Sequence, residues 1–89
     1  MDQIIYLDRK DNVATALADF APGETIDVAG HTIRLLERIP FGHKVSVCDI
    51  QKEGLIYKYG AVIGKATQDI PAGSVVHIHN ITSLRGLGK

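Results

Sequence analysis

Residues 66–73 read Ala-Thr-Gln-Asp-Ile-Pro-Ala-Gly, and the pattern recurs along the chain. Residues 16–23 read Ala-Leu-Ala-Asp-Phe-Ala-Pro-Gly. Both have alanine, two variable residues, aspartate, one apolar residue and a proline-containing turn that ends in glycine. A weaker copy at residues 48–54 has one extra residue before its glycine. Each copy predicts a strand end, a buried anchor residue and a tight turn in which glycine adopts positive φ.

Short runs of strand-forming residues surround these copies. Residues 25–28 and 32–35 alternate in polarity on either side of a turn at residues 29–31, which predicts a hairpin. A further turn, without the aspartate, is predicted at residues 39–42, Ile-Pro-Phe-Gly. The remaining predicted strands are residues 4–7, 44–48, 55–59 and 75–79.

Residues 11–19 are the ambiguous part of the chain. They are rich in alanine and begin with a potential helix cap, so propensity alone favours a helix. The repeat instead makes residues 16–19 a strand end that leads into a turn. Because this second interpretation agrees with the other copies, we predict an all-β (mainly β) fold with many short strands and tight Pro/Gly turns.

Size and charge exclude several classes of protein. A chain of 89 residues forms one domain. Ten Lys and Arg residues balance ten Asp and Glu residues, without the basic stripe of a nucleic-acid binder. No apolar run reaches transmembrane length, and the first residues lack the features of a signal peptide, so we expect a cytoplasmic protein. The single cysteine, Cys48, excludes an intramolecular disulfide.

Four short motifs, in order along the chain, resemble the SAF domain of the altronate/galactarate dehydratase family. They are residues 11–17 (Asp-Asn-Val-Ala-Thr-Ala-Leu), 42–45 (Gly-His-Lys-Val), 58–64 (Lys-Tyr-Gly, then Ile-Gly) and 77–80 (His-Ile-His-Asn). The turn pattern of residues 66–76 resembles SAF domains generally. The resemblance implies a SAF-like β-clip domain over residues 1–82, and we expect a flexible tail over residues 83–89.

The resemblance also implies a function. In that family the SAF region precedes a much larger catalytic region, and in some members the two are separate chains. This chain is therefore expected to be the small subunit of a two-chain sugar-acid dehydratase, inactive alone. Its partner would be a large catalytic subunit, and its substrate a small hydroxy acid, an aldonate or aldarate such as altronate. The family implies a divalent metal, iron(II) or manganese, held mainly with the large subunit.

Two other functions stay open. The chain could be a stand-alone carbohydrate- or acid-binding or assembly module without catalysis. It could also be a purely structural subunit that stabilises the large chain. A homo-oligomer is compatible with each of these functions.

Histidines and lysines carry most of the predicted site. His43 and Lys44 follow a glycine turn, and the resemblance makes them catalytic candidates, because histidine titrates in the useful range and lysine can pair with a carboxylate. His77 and His79 lie two apart on a predicted strand, so they would share a face and could bind one metal. Asp69 or His43 would have to complete that metal site, since catalytic sites take about three protein ligands.

The candidate substrate-binding residues are Lys58, Tyr59 and Asn80. Lys58 would contact a carboxylate and Tyr59 a sugar hydroxyl, although Tyr59 could equally pack beside Tyr57 on the same strand face. Asn80 would position a hydroxyl or bond to its own turn, the commoner role of asparagine after a strand.

Other polar residues are given structural roles. Cys48 is expected to be a small buried hydrophobe rather than a nucleophile, and His31 a surface residue. The aspartates of the repeat are expected to cap turns through their side chains; they are Asp19, Asp49 and Asp69.

Overall fold

The computed structural model describes residues 3–83, and these residues form strands and turns without a helix. The all-β prediction is therefore confirmed. The strands are β1 (Ile4–Ile5), β2 (Val13–Ala16), β3 (Thr25–Val28), β4 (His31–Arg34), β5 (Lys44–Ser46), β6 (Leu55–Lys58), β7 (Ala61–Ala66), β8 (Val75–Val76) and β9 (Ile81–Ser83).

The strands make three small antiparallel sheets. Their orders are β1-β2-β5-β8, β3-β4 and β6-β7-β9. The predicted hairpin is the β3–β4 pair, whose two loop residues, Ala29 and Gly30, have φ of 51° and 84°. Positive φ at both loop residues is what a type I′ hairpin turn requires. Strand β4 starts at His31, one residue earlier than predicted, because this two-residue loop is shorter than expected.

The ambiguous segment is a strand. Residues Val13–Ala16 form β2, which pairs with β1 on one side and β5 on the other. Val13, Ala14 and Ala16 are almost fully buried in this central strand. Tertiary packing therefore overrides the helix propensity of the alanines, as the repeat predicted.

The repeated aspartates hold turns together in pairs. Ile50 and Ile70 form an isolated antiparallel bridge. Asp49 Oδ1 accepts the N–H of Ala72 (2.9 Å), and Asp69 Oδ1 accepts the N–H of Lys52 (2.8 Å). Each aspartate thus accepts the N–H of the residue that lies three positions after the aspartate of the other copy. The two turns are therefore related by a local two-fold arrangement.

A second pair of turns follows the same plan with one half altered. Phe20 bridges Ile39, and Asp19 Oδ1 accepts the N–H of Phe41 (2.8 Å). The reciprocal bond is missing, since the receiving position is Pro22, which has no N–H. Arg38 stands where the second aspartate would be, and its Nη2 lies 3.8 Å from Asp19 Oδ1.

A residue with positive φ ends each of these four turns, four positions after the Asp or Arg. Gly23, Gly42 and Gly73 have φ of 88°, 83° and 89°. In the third copy the position belongs to Glu53, with φ of 73°, and not to Gly54. The prediction that glycine fills this position in every copy is wrong for the third copy. All four turns have the same length, and in this copy the glycine, Gly54, lies one residue after the position with positive φ.

Three predicted strands end early. Strand β5 ends at Ser46 rather than residue 48, and β6 ends at Lys58, where the turn to β7 begins. Strand β8 ends at Val76, so His77 and His79 lie in a turn and not on a strand. At the C-terminal end, Ser83 belongs to β9 rather than to the predicted tail, and residues 84–89 lie outside the described residues.

The apolar side chains pack in two clusters on opposite sides of β2. Ala14 and Ala16 belong to one cluster and Val13 to the other, because neighbouring residues of a strand face opposite sides. Both clusters include a residue of the β5–β8 pair, Val45 in the first and Val76 in the second. The end of that pair is therefore fixed from both sides, and it holds the site described below.

Candidate functional site

The register of β5 against β8 brings two of the predicted site residues together. Lys44 pairs with Val76 as the last residues of the ladder. One step further along two antiparallel chains, residue 43 faces residue 77. The imidazole rings of His43 and His77 meet there, with centroids 4.6 Å apart and planes tilted by 43°.

A glycine turn fixes the backbone of His43. Gly42 has φ of 83°, and its N–H donates to Ala16 O (2.8 Å). The N–H of His43 donates to Pro40 O (3.0 Å), and its carbonyl accepts the N–H of Ala16 (2.9 Å). His43 Nδ1 lies 3.5 Å from Phe41 O. These bonds tie His43 to the buried strand β2, so its position is set by the core.

Asn80 fixes the turn of His77. Its side chain is almost fully buried, its Oδ1 accepts the N–H of His77 (2.9 Å), and its Nδ2 donates to Val75 O (2.9 Å). The backbone N–H of Asn80 also donates to His77 O (3.0 Å). Of the two roles open to Asn80, the structure shows the bond to its own turn. The asparagine positions His77 instead of presenting its amide at the surface.

Positively charged side chains lie within electrostatic range of His77. Desolvation, then the positive charges of His43, Lys44 and His79, lower the pKa of His77. Desolvation, then the charge of Lys58, lowers the pKa of the half-buried Lys44. Lys44 is therefore within electrostatic range of both His77 and Lys58. We call the five side chains of His43, Lys44, Lys58, His77 and His79 the basic cluster.

The β6–β7 turn carries Lys58 and Tyr59. Tyr59 and Gly60 have φ of 56° and 77°, and Lys58 Nζ lies 4.9 Å from the centre of the Tyr59 ring. The buried carboxylate of Asp11 accepts the N–H of Tyr59 (2.9 Å) and of Gly60 (2.8 Å). Tyr59 is 49% exposed in this turn, so it does not share a strand face with Tyr57.

Asp11 is a residue whose role the sequence analysis missed. It was singled out only as the start of a motif, 48 positions from Tyr59. A carboxylate that accepts two N–H groups of one turn fixes the conformation of that turn. Tyr59 is a non-glycine residue at positive φ and needs support from its surroundings, but no local pattern in the sequence indicates that Asp11 supplies it.

The described residues do not make a metal centre by themselves. His77 and His79 are both exposed in the turn, and no group of three or more His, Cys, Asp or Glu that could hold a metal occurs within residues 3–83. Asp69 does not complete such a set, since its Oδ1 accepts the N–H of Lys52. His43 does reach His77, but two imidazoles are fewer than the about three protein ligands of a catalytic metal site.

Exposed apolar side chains border the histidine pair. Phe41 is 64% exposed and lies two residues before His43. Ile78, between His77 and His79, is 83% exposed. Leu17, at 40% exposure, follows the alanine that bonds to His43. These residues were not predicted as part of the site, although an apolar residue inside a polar turn is a signal that the sequence contains.

Cys48 and His31 lie away from this cluster. They line a separate open cavity with Arg34 and Ala72. Cys48 is exposed, so the expectation of a buried thiol is wrong; β5 ends before it and leaves it on the surface. Desolvation, then the charge of Asp49, raises the pKa of the thiol. This shift opposes formation of the nucleophilic thiolate.

The geometry can be compared with known proteins. Residues 2–84 match the family model described as the altronate/galactarate dehydratase SAF domain. The chain is 45% identical over 78 residues to an altronate dehydratase of Escherichia coli (strain K12), covering 88% of this chain and 16% of that protein. It is 39% identical over 80 residues to an altronate dehydratase of Bacillus subtilis (strain 168), covering 90% of this chain and 16% of that protein.

A shorter match is to a separate subunit. The chain is 37% identical over 49 residues to the (2R)-sulfolactate sulfo-lyase subunit alpha of Chromohalobacter salexigens, covering 55% of this chain and 52% of that protein. Within residues 3–83, no helix is long and apolar enough to cross a membrane. The match to the two altronate dehydratases spans about one sixth of their length. Since the family model covers nearly the whole sequence, the chain belongs to the altronate/galactarate dehydratase SAF domain family.

Proposed function

We propose that the chain is the small subunit of a two-chain sugar-acid dehydratase, which eliminates water from an aldonate or aldarate such as altronate. The match over residues 2–84 supports the family, and the 16% coverage of the altronate dehydratases supports a catalytic region outside this domain. The partial match to a sulfo-lyase subunit alpha supports the separation of the two parts into chains. The proposal includes a cytoplasmic location.

The observation that carries the proposal is the meeting of His43 with His77. Two imidazoles 4.6 Å apart, on backbones held by Ala16 and Asn80, can place a proton-transfer group and a metal ligand beside one substrate. The lowered pKa of His77 favours the neutral imidazole, which is the form that binds a metal ion. Exposed Phe41 and Ile78 beside the rings offer contact to the large chain.

The chemistry needs one base and one acid. The base removes the proton from the carbon next to the carboxylate, and the acid protonates the hydroxyl that leaves the next carbon as water. The double bond that forms is an enol, which becomes a 2-keto-3-deoxy acid. We assign proton transfer to His43 and charge stabilisation of the carboxylate to Lys44.

The remaining predicted residues have subsidiary parts in the proposal. Lys58 would contact the substrate carboxylate and Tyr59 a substrate hydroxyl, while Asn80 acts through the backbone of His77. A divalent ion, iron(II) or manganese, would be held mainly by the large chain. His77 and His79 are the ligands that this chain can add.

The test is purification of the tagged chain from its native lysate, followed by identification of co-eluting proteins and assay of dehydration over a panel of sugar acids with divalent ions. The proposal predicts a large dehydratase-like chain and turnover of at least one hydroxy acid. A chain that elutes without such a partner and without turnover would contradict it, and would favour a stand-alone binding module.

A further inference from the structure

The outer edge of β4 carries backbone groups that have no partner in the described part of the chain. The N–H of Leu35 donates to Glu24 O (2.8 Å), so residues 24 and 35 are a hydrogen-bonded pair of the hairpin. Such pairs alternate along an antiparallel ladder, and therefore Thr32 and Arg34 direct their N–H groups away from β3. Within residues 3–83, no hydrogen bond uses the N–H or C=O of Thr32 or the N–H of Arg34. This edge can therefore pair with a further strand.

The same edge borders a cavity, which we call the edge slot. Residues 32–34 of β4 line it together with Val47, Cys48 and Ala72, and its volume is about 440 Å³. Neighbouring residues of a strand face opposite sides, so three consecutive residues can border one cavity only along the strand edge. The unpaired backbone groups of β4 consequently face a space of the size that ligands occupy, which is about 300–1,000 Å³.

The chain itself closes one end of the edge slot. Beyond β4, the N–H of Leu36 donates to Gly73 O (2.9 Å), so the edge that is open at Thr32 is already paired at Leu36. The N–H of Gly73 in turn donates to Ser46 O (2.9 Å), which ties this end to β5. A strand added to β4 is therefore confined to residues 32–34, between the hairpin loop and the bond to Gly73.

One side of the edge slot is apolar. Val47 and Ala72 are partly buried and pack against the core cluster that includes Ile33. In a strand added to β4, the residue opposite Ile33 would lie on the same side as Ile33, because directly paired residues share a face. An apolar side chain therefore fits at that position.

The charge of the edge slot comes from Arg34. It is the only lining residue with a permanent charge, and none of the ion pairs within residues 3–83 includes it. Of the neighbouring carboxylates, Asp27 Oδ1 already accepts the Thr32 hydroxyl (2.9 Å). Asp49 Oδ1 accepts the N–H of Ala72 (2.9 Å). An acidic residue opposite Arg34 therefore complements the slot, whereas a second copy of this chain would bring a second Arg34 to it.

We propose that the edge slot binds an extended segment of the large catalytic subunit by strand addition to β4, with an apolar residue opposite Ile33 and an acidic residue opposite Arg34. Main-chain hydrogen bonds give affinity in this mode of binding, and the side chains give specificity. The inference rests on the proposed function for the partner, because the match spans 16% of an altronate dehydratase and leaves most of such an assembly outside this domain. The slot is a second contact between the chains, separate from the His43–His77 pair.

Cys48 reports on occupation of the edge slot. It is exposed, lines the slot and is the only cysteine of the 89-residue sequence. The probe is an end-blocked synthetic peptide with valine, glutamate and valine at its centre and serines at both sides. It should slow the alkylation of Cys48 by iodoacetamide in a saturable manner. A peptide with lysine in place of the glutamate should bind about tenfold more weakly, as expected for the loss of a charge-assisted contact.

Two threonines provide matched variants. Thr32 and Thr25 are both exposed, and they direct their N–H groups to opposite outer edges of the same hairpin. Thr32→Pro removes the N–H at the slot and should abolish the protection of Cys48, while Thr25→Pro should retain it, since proline is tolerated where an edge N–H faces outward. Thr32→Val loses the hydroxyl but keeps the N–H, and it should also retain protection. If the proline variants do not fold, Arg34→Glu should reverse the preference to the lysine peptide.

The same variants test the source of the segment. In the assembled two-chain enzyme, Cys48 should be protected from alkylation relative to the free chain. Thr32→Pro should weaken binding of the co-eluting large chain about tenfold or more, the effect expected for lost backbone hydrogen bonds, while Thr25→Pro leaves it unchanged.

Two parts of the inference can be overturned separately. Absence of Cys48 protection by the glutamate peptide, or equal protection in Thr32→Pro and Thr25→Pro, would overturn the edge slot and leave the two-chain dehydratase to its own test. Peptide binding with an accessible Cys48 in the assembled enzyme would overturn the large subunit as the source. Absence of any large chain would contradict the proposed function and that source together, while the peptide titration still decides whether the slot binds a strand.

Discussion

The imidazole rings of His43 and His77 lie 4.6 Å apart because their residues extend the pairing of β5 with β8 by one step. His43 is tied to β2 through Ala16, and His77 is tied to its turn through Asn80. Each ring is therefore placed by buried groups, and His43 is half-buried while His77 is exposed. This relationship connects the packing of the sheet to the chemistry proposed for the site.

The surroundings of His77 predict its titration. Its pKa should lie below the ordinary value of 6.5, because desolvation and the nearby positive charges disfavour the imidazolium. Lys44→Gln should raise this pKa, whereas Lys10→Gln should not change it. The imidazole resonances of His77, followed by NMR against pH, measure both. A pKa at or above 6.5 in the unmodified chain would contradict the description of the cluster.

The same shift fixes the sign of one pH effect on stability. The unfolded state binds a proton at His77 at higher pH than the folded state does, so its contribution to the free energy of unfolding decreases as pH falls through 6.5 towards the lowered pKa. Replacement of His77 by glutamine should remove this contribution. Chemical denaturation of both proteins at a series of pH values measures it.

Asn80→Ala should destabilise the fold by about 1–3 kcal/mol, since it leaves the partly buried N–H of His77 and carbonyl of Val75 without their partner. The His77 amide and ring resonances should move, because the turn loses the two hydrogen bonds of the Asn80 side chain. Urea unfolding gives the free energy. As a control, Asn12→Ala removes two comparable bonds, to Leu55 and Tyr57, and should leave the His77 resonances in place. Equal effects of the two variants on His77 would contradict the assigned role.

Gly73→Ala should cost more than Gly30→Ala, although both glycines have φ above 80°. A Cβ on Gly73 would collide with the carbonyl of Arg34, whereas nothing lies within 4 Å of the position that a Cβ on Gly30 would take. Backbone strain alone is worth about 1 kcal/mol, so Gly30→Ala should lower stability by that order. Gly73→Ala should exceed it by at least a similar amount. Thermal unfolding of the two variants makes the comparison, and equal melting temperatures would rule out the collision.

Glu53→Gly should raise stability relative to Glu53→Gln. Glu53 has φ of 73°, and its carboxylate contacts Lys65 Nζ at 2.7 Å. Both substitutions remove the exposed ion pair, but only glycine relieves the strain, which is about 1 kcal/mol. Melting temperatures of the two variants measure the difference. A glycine variant that melts below the glutamine variant would show that φ at this position is not strained.

Much of the fold follows from local patterns that the sequence contains. The hairpin of residues 25–34 has a Gly-containing turn between alternating runs, and the Asp-apolar-turn repeat marks Asp19, Asp49 and Asp69 as caps. The hairpin is decided by residues that are neighbours in sequence, whereas each aspartate caps a turn that is distant in sequence. The repeat also resolved residues 13–16 in favour of a strand, against the helix propensity of alanine.

The errors come from choices that depend on distant residues. Residues 75–79 alternate like a strand, but the amide of Asn80 bonds to His77 and Val75 and turns the chain after Val76. The positive φ of Glu53 follows from reciprocal capping with a turn that lies 20 residues away in sequence, which no local preference of glutamate indicates. Cys48 is exposed because its strand stops two residues earlier.

The sequence was enough to predict which residues belong to the candidate site, but not which of them contact one another. The resemblance selected His43 and His77, but the contact between them depends on the register of β5 against β8, which is set by sheet packing. The expected placement of His77 and His79 on one strand face was wrong, because Asn80 turns the chain after Val76. Asp11 acts on Tyr59 across 48 positions, so its role became visible only in the folded chain.

The decisive measurement is turnover by the reconstituted two-chain enzyme with His43→Ala in the small subunit, with His31→Ala as the control, because His31 is an exposed histidine outside the cluster. The site account predicts that kcat falls by about 10²–10⁴-fold, the usual contribution of a general acid or base, while the two chains still co-elute. The control should retain full kcat. Unchanged kcat in the assembled His43→Ala enzyme would contradict a catalytic role for the histidine pair.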